Sequence, residues 1–287
     1  MNKKNSFPES NQPLFQVLSF DIVLGSLAVG LFAVTLLGVK TNPVWWIILP
    51  LAVWTVYTVD HLADGLKQKD KSTIYRHDYH YRYRKILFPL ILFTGLCAIA
   101  LTFIFLDTAI IKWGIVLSGF VLFYLLILLI PHKHRHFYYH KEVFIAFAYT
   151  SGIFIAPLVW YGRFPDYSKW LPVIVIFILV WCETVMVSFF DYDLDKADGN
   201  ASFTVRYGKR KTRQILITAL ILTALWLTVS AFFFENRKNI PPVLIELLML
   251  SVLLIIIYLP DYFKSNNLYR WFGEIVFWLP GFLVLFK

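Results

Sequence analysis

Nine apolar runs divide this chain, and each is long enough to cross a lipid bilayer. They cover residues 17–39, 44–62, 86–106, 110–130, 143–161, 170–190, 215–234, 243–262 and 268–286. A helix needs about 20 apolar residues to span the hydrocarbon core, because each residue rises only about 1.5 Å. Inside that core every backbone N–H and C=O must be bonded within the protein, which favours helices. The expected fold is therefore all-α: a polytopic membrane protein with about nine transmembrane helices. Proline and tryptophan flank many of the runs (Pro43, Trp45, Trp46, Pro131, Trp170, Pro172, Pro241, Pro242, Pro260), which suits anchoring at the membrane interface.

Composition agrees. Of the 287 residues, 59% are hydrophobic and only 16% charged, where a soluble protein would carry roughly a quarter charged residues. So much apolar surface also excludes a disordered chain. No Gly/Ser/Pro-rich linker interrupts it, so residues 17–287 read as one nine-helix domain. Residues 1–16 read as a cytoplasmic N-terminal segment that lacks the pattern of a signal peptide. Cys97 and Cys182 fall inside apolar runs and read as packing residues rather than a disulfide or metal site.

Charge sets the orientation. Twenty of the 27 basic residues lie in the N-terminus and in the stretches after the even-numbered runs, against seven on the other side. The excess of Lys and Arg marks the cytoplasmic face, so the N-terminus is expected inside and the C-terminus outside. The expected location is a bacterial inner membrane. The net charge of +9 is then mainly an orientation signal, with part of it available for an anion, and no nucleic-acid partner is expected. All seven histidines fall on the cytoplasmic side. The run His132-Lys133-His134-Arg135-His136 interleaves cations that would repel zinc, and contact with membrane lipid headgroups fits it better.

Two acidic repeats stand out against this background. The second run ends in Asp60-His61-Leu62-Ala63-Asp64-Gly65, and the sixth in Asp191-Tyr192-Asp193-Leu194-Asp195. Residues four apart share a helix face, with Cβ atoms about 5–6 Å apart. Two carboxylates that close repel one another, and the cost rises beside an apolar medium. A divalent cation offsets it. Magnesium takes carboxylate oxygens and commonly completes its shell with water and substrate phosphate. One such pair reads equally well as solvated charge at a helix end. Two pairs of equal spacing on the same side favour a single site, with Asp60, Asp64, Asp191 and Asp195 as catalytic metal ligands facing a diphosphate.

These residues resemble the UbiA superfamily of intramembrane prenyltransferases. The second acidic motif of that family reads Asp-x-x-x-Asp-x-x-x-Gly, followed by a Thr and then a hydrophobic-x-x-Gly. Asp191, Asp195, Gly199, Thr204, Val205 and Gly208 match it. The first motif reads Asn-Asp-x-x-Asp-x-x-x-Asp. Asp60 and Asp64 fill its last two acidic places, while Val56 and Tyr57 stand where Asn-Asp is expected. The resemblance implies nine helices bundled around a lipid-facing central cavity. It implies a Mg2+-dependent enzyme that moves an isoprenyl group from an isoprenyl diphosphate to a hydrophobic or aromatic acceptor such as a quinone precursor. It also implies that basic residues of the cytoplasmic loops help to hold the diphosphate, here Lys67, Arg76, Arg82, Lys141, Arg206 and Lys209.

Glu183 lies eight residues before Asp191, about two turns deeper in the sixth run. A carboxyl there is costly unless it faces a cavity or a partner. It is expected to line the cavity, with Tyr149, Phe189 and Tyr192 as further walls. Glu246 and Glu274 read as structural, and His61 as facing away from its flanking aspartates. Two other functions remain compatible with the residues. One is a terpene cyclase of the same fold, which would quench the cation internally. The other is a non-catalytic transporter or lipid-binding protein. The lack of an internal repeat, and the clustering of acids at one face, count against transport.

Overall fold

The computed structural model describes residues 13–68, 74–129, 141–234 and 239–286. Most of the expected N-terminal segment, the histidine run 132–136 and His140 lie outside the described residues. Among the described residues, nine helices are long and apolar enough to cross a membrane. In chain order these spans are Phe20–Leu37, Trp45–Lys67, Arg84–Phe105, Thr108–Leu126, Lys141–Tyr161, Tyr167–Phe190, Lys209–Phe232, Ile240–Tyr258 and Leu268–Phe286. They coincide with the nine apolar runs and differ at the ends. The second span continues past its apolar run, which puts Asp64 inside the helix. The seventh begins at Lys209, because long basic side chains extend a helix into the interface while keeping their charges in water.

Two short helices, Tyr75–Arg82 and Phe203–Tyr207, stand where the sequence reads as loop, while Tyr192–Asp198 follows the end of the sixth run and Pro260–Lys264 overlaps the end of the eighth as separate helices. They are too short to show an apolar period, so the local pattern carries no signal for them. The ninth span is α-helical over Leu268–Ile275 and 3-10 over Val276–Phe286.

The first span packs against the ninth, the second against the third, the fifth against the sixth and the seventh against the eighth. Contacts of the first span with the fifth and of the eighth with the ninth close the bundle. The sixth span is central, with Ile176, Leu179 and Val185 fully enclosed. The third and fourth spans are peripheral and expose Phe93, Phe103, Ile104, Trp113 and Val116. Such a surface suits lipid, where exposed apolar side chains carry no penalty. Cys182 is buried and Cys97 half-buried, both as free thiols.

Candidate functional site

Both aspartate pairs reach one cavity. It measures about 170 Å³, and its wall includes Asp60 and Asp64 from the second span with Asp191 and Asp195 from the end of the sixth. Trp45–Gln68 is one continuous helix, so the first pair shares a face as its spacing requires. Lys67 donates to Asp64 Oδ1 at 2.6 Å. Asp60 Oδ1 is buried and has no hydrogen-bond partner.

The short helix Tyr75–Arg82 lies across the end of the second span. Gly65 makes this approach possible, because a Cβ at that position would stand 2.5 Å from the carbonyl oxygen of His77. The approach carries Arg76 and His77 into the cavity wall beside His61. Arg76 Nη1 donates to His61 Nε2 at 3.2 Å, and His80 Nδ1 donates to the Arg76 carbonyl at 2.8 Å. Burial pushes His77 and His80 each down to about 4, and for His77 this outweighs the opposite pull of Asp64. Both rings are therefore neutral near pH 7. His61 faces the site, not away from it as its position between two aspartates had suggested.

The second pair is built differently. The sixth span ends at Phe190, and a backbone bond from Asp195 N–H to the Asp191 carbonyl, at 2.8 Å, carries the turn into the short helix Tyr192–Asp198. Gly199 ends that helix at φ +69°, a left-handed conformation that glycine adopts without strain. Thr204 is tied back to the sixth span. Its N–H donates to Ser188 Oγ at 3.0 Å, and its Oγ1 accepts from the same hydroxyl at 2.8 Å. Phe203 N–H donates to Glu142 Oε1 at 2.8 Å. Gly208, at φ +79°, leads into the seventh span. The non-acidic residues of this motif thus aim the aspartates and lie outside the cavity wall.

Burial raises the Asp195 carboxyl above the ordinary range, and Lys141 draws it back. Asp191 is held by two residues that the sequence did not single out. The Arg270 guanidinium donates to its Oδ2, and the Tyr269 hydroxyl donates to its Oδ1 at 2.5 Å. The Tyr269 ring stacks on Phe190 with centroids 4.4 Å apart.

The expected basic residues divide into two groups. Lys141 and Arg76 line the cavity, and Lys141 attracts Asp60 and Asp64 of one pair and Asp195 of the other. Lys67 is bound to Asp64 but is not in the wall. Arg82, Arg206 and Lys209 are also outside the wall. Arg82 turns to Asp78 at 2.8 Å, since six residues at about 100° each point it away from Arg76. Lys209 pairs with the exposed Asp193 at 2.9 Å.

Glu183 and Tyr149 line the cavity as expected from the sequence. Phe189 and Tyr192 do not. Val187, Ser188 and Asp191 face the cavity, and Phe189 instead faces a separate surface pocket with Lys209, Arg210 and Arg213. Glu274, read as structural, belongs to the wall with Tyr57 and Phe277. A second cavity of about 370 Å³ adjoins the first. Its walls are mainly apolar, with Leu49, Val53, Leu117 and Phe144 among them, and it shares Tyr57, Asp60, Ile145 and Tyr149 with the polar chamber. The two residues that depart from the family motif sit here: Val56 in the apolar cavity and Tyr57 in both. Among the described residues, no three His, Cys, Asp or Glu side chains converge as a ready-made metal cage.

No protein-family profile matches this chain, and no curated protein does. Solved structures match over nearly its whole length. A UbiA homolog from Aeropyrum pernix K1, in its apo form, superposes with a TM-score of 0.66 at 12% identity, over 92% of this chain and 97% of that one. A UbiA homolog from Archaeoglobus fulgidus, bound to DMAPP and Mg2+, gives 0.61 at 12% identity over 93% and 99%. The same homolog bound to GPP and Mg2+ gives 0.59 at 14% identity over 92% and 98%. The chain therefore has the fold of the UbiA homologs.

Proposed function

We propose that this chain is a UbiA-type prenyltransferase that moves an isoprenyl group from an isoprenyl diphosphate to an aromatic or quinone-precursor acceptor, with Mg2+ as cofactor. The observation that carries this reading is the meeting of both aspartate pairs in one polar cavity that continues into an apolar one. The binding of DMAPP and GPP with Mg2+ by the A. fulgidus homolog supports it. We read the chain as lying in a bacterial inner membrane, with this site and the N-terminus on the cytoplasmic side.

The residues fit magnesium. The donors are hard carboxylate oxygens, and Asp60 Oδ1 is buried without a partner. Magnesium commonly uses only one or two protein carboxylates and completes its shell with water and phosphate, so no three-residue cage is required. Asp60 and Asp64 on one side, and Asp191 and Asp195 on the other, would hold it. Bound there, the metal would neutralise charge on the departing diphosphate. The chain's own residues do the rest. Lys141 and Arg76 present cations to the same leaving group as its bond to carbon breaks. Arg270 and Tyr269 keep the Asp191 carboxylate in one orientation. The apolar cavity receives the prenyl tail, and Tyr57 and Tyr149 offer aromatic faces to the allylic cation at the junction.

The test is direct. Purified protein is incubated with isoprenyl diphosphates of several lengths, with and without magnesium, while diphosphate release and product mass are followed. The expected result is release that needs both magnesium and an added aromatic acceptor. Asp60→Asn and Asp191→Asn should each lower it about a hundredfold or more while leaving the protein folded. No release under any condition sinks the proposal. A terpene hydrocarbon or alcohol as the sole product reassigns the protein as a cyclase.

A further inference from the structure

We infer that the deep end of the polar cavity binds an acceptor whose polar group donates hydrogen bonds, a phenol or an amine, and that it selects against acceptors bearing a carboxylate. The inference rests on the prenyltransferase reading above and narrows its acceptor class.

Three carboxyl groups from three spans gather at that end. Glu183 of the sixth span and Glu274 of the ninth are in the wall, and Asp21 of the first stands beside the wall residue Ile22. Arg76 and Arg270 attract all three, but Glu183 and Glu274 also repel each other, and each repels Asp21. Asp21 is only 1% exposed and Glu183 7%. Glu183 Oε1 and Asp21 Oδ2 are buried and accept no hydrogen bond. Among the described residues, none of the three carboxyls belongs to an ion pair. Arg270 is bound to Asp191 and Tyr269, and Arg76 bonds His61 through Nη1 while its Nε is left without a partner, so neither guanidinium hydrogen-bonds any of the three carboxyls. Gly273 keeps the Glu183 position open, since a Cβ there would approach its Oε1 to 3.3 Å.

A buried acceptor oxygen without a donor is costly, and so is crowding of like charge. A ligand that brings N–H or O–H groups relieves the first, and a protonated amine relieves both, whereas a ligand that brings another carboxylate worsens both. The diphosphate cannot be that ligand. Asp191, the nearest of its aspartates along that helix, lies eight residues beyond Glu183, about 12 Å at the rise of a helix. The deep end is left for the second substrate, whose ring would meet Tyr149 and Phe277, themselves edge to face at 6.0 Å.

The full chain in lipid nanodiscs would be titrated with hydroquinone, 4-hydroxybenzylamine and 4-hydroxybenzoate, with and without magnesium and geranyl thiodiphosphate. The expected result is that hydroquinone and the amine bind about tenfold or more tightly than the benzoate, the scale of one hydrogen bond to a charged group. Glu183→Gln should weaken amine binding by a similar factor and narrow the amine-to-benzoate ratio, and Glu274→Gln should shift it the same way. Thermal unfolding checks that each variant is folded. Benzoate binding as tightly as the amine, binding of none of the three probes, or an unchanged ratio in both variants overturns the inference. Binding of geranyl thiodiphosphate alone is measured separately. Its failure with magnesium counts against the prenyltransferase reading, while selectivity among the three probes still decides what the deep end accepts.

Discussion

Arg270 holds Asp191 from 79 positions further along the chain, and its neighbour Tyr269 completes the grip with a 2.5 Å hydrogen bond to the other carboxylate oxygen. The first aspartate of the second pair is therefore oriented by the ninth span. Removing one partner of a buried ion pair strands the other charge. Arg270→Met is expected to cost about 3–5 kcal/mol of stability. Tyr269→Phe removes the hydrogen bond to Asp191 and the one accepted from Arg270 Nε, and should cost about 1.5–3 kcal/mol or more. Unfolding midpoints in detergent measure both, and a wild-type midpoint for Arg270→Met would show that the pair does not matter.

Position in the cavity separates the basic residues. Lys141→Gln and Arg76→Gln should each reduce the affinity for an isoprenyl diphosphate in magnesium by about tenfold or more. Lys209→Gln should leave it within about twofold, because an exposed pair such as Lys209 with Asp193 contributes little. Equal effects at Lys209 and Lys141 would mean that the anion binds elsewhere.

Gly65→Ala tests the seat of the helix Tyr75–Arg82. The new methyl group would sit 2.5 Å from a backbone oxygen, which cannot move without shifting Arg76 and His77. Overpacking of this kind costs about 1–3 kcal/mol, and diphosphate binding should fall with it. Gly114→Ala is the control. Nothing lies within 4 Å of a Cβ there, so the protein should be as stable or slightly more so. If both variants behave alike, the close approach at Gly65 is not required.

Acid should destabilise the fold through His80. Its ordinary value of 6.5 drops to about 4 in the folded protein, chiefly through burial. Between these values the unfolded chain binds a proton that the folded chain does not. The stabilisation is thus complete above pH 6.5 and is lost as pH falls toward 4. Unfolding midpoints from pH 7 to pH 4.5 should fall, and His80→Asn should flatten part of that slope. A variant with the full wild-type slope would assign the effect to other groups.

The spans were legible in the sequence because bilayer thickness imposes a length on each of them. The aspartate pairs were legible because an interval of four is a local rule of helices, and Gly199 and Gly208 because they fill the motif that the sequence resembles. Tertiary structure alone decided the rest. The convergence of Asp60 and Asp64 with Asp191 and Asp195 depends on how the second and sixth spans are brought to one cavity. Arg270, Glu274 and Tyr57 enter the site from helices whose neighbours cannot be inferred from apolar runs that all look alike. The same limit applies to charge. Lys141 and Lys209 each open a span, and only packing puts one between the aspartates and the other against Asp193 at the surface. Local rules set which residues can act together along one helix, and packing sets which helices meet.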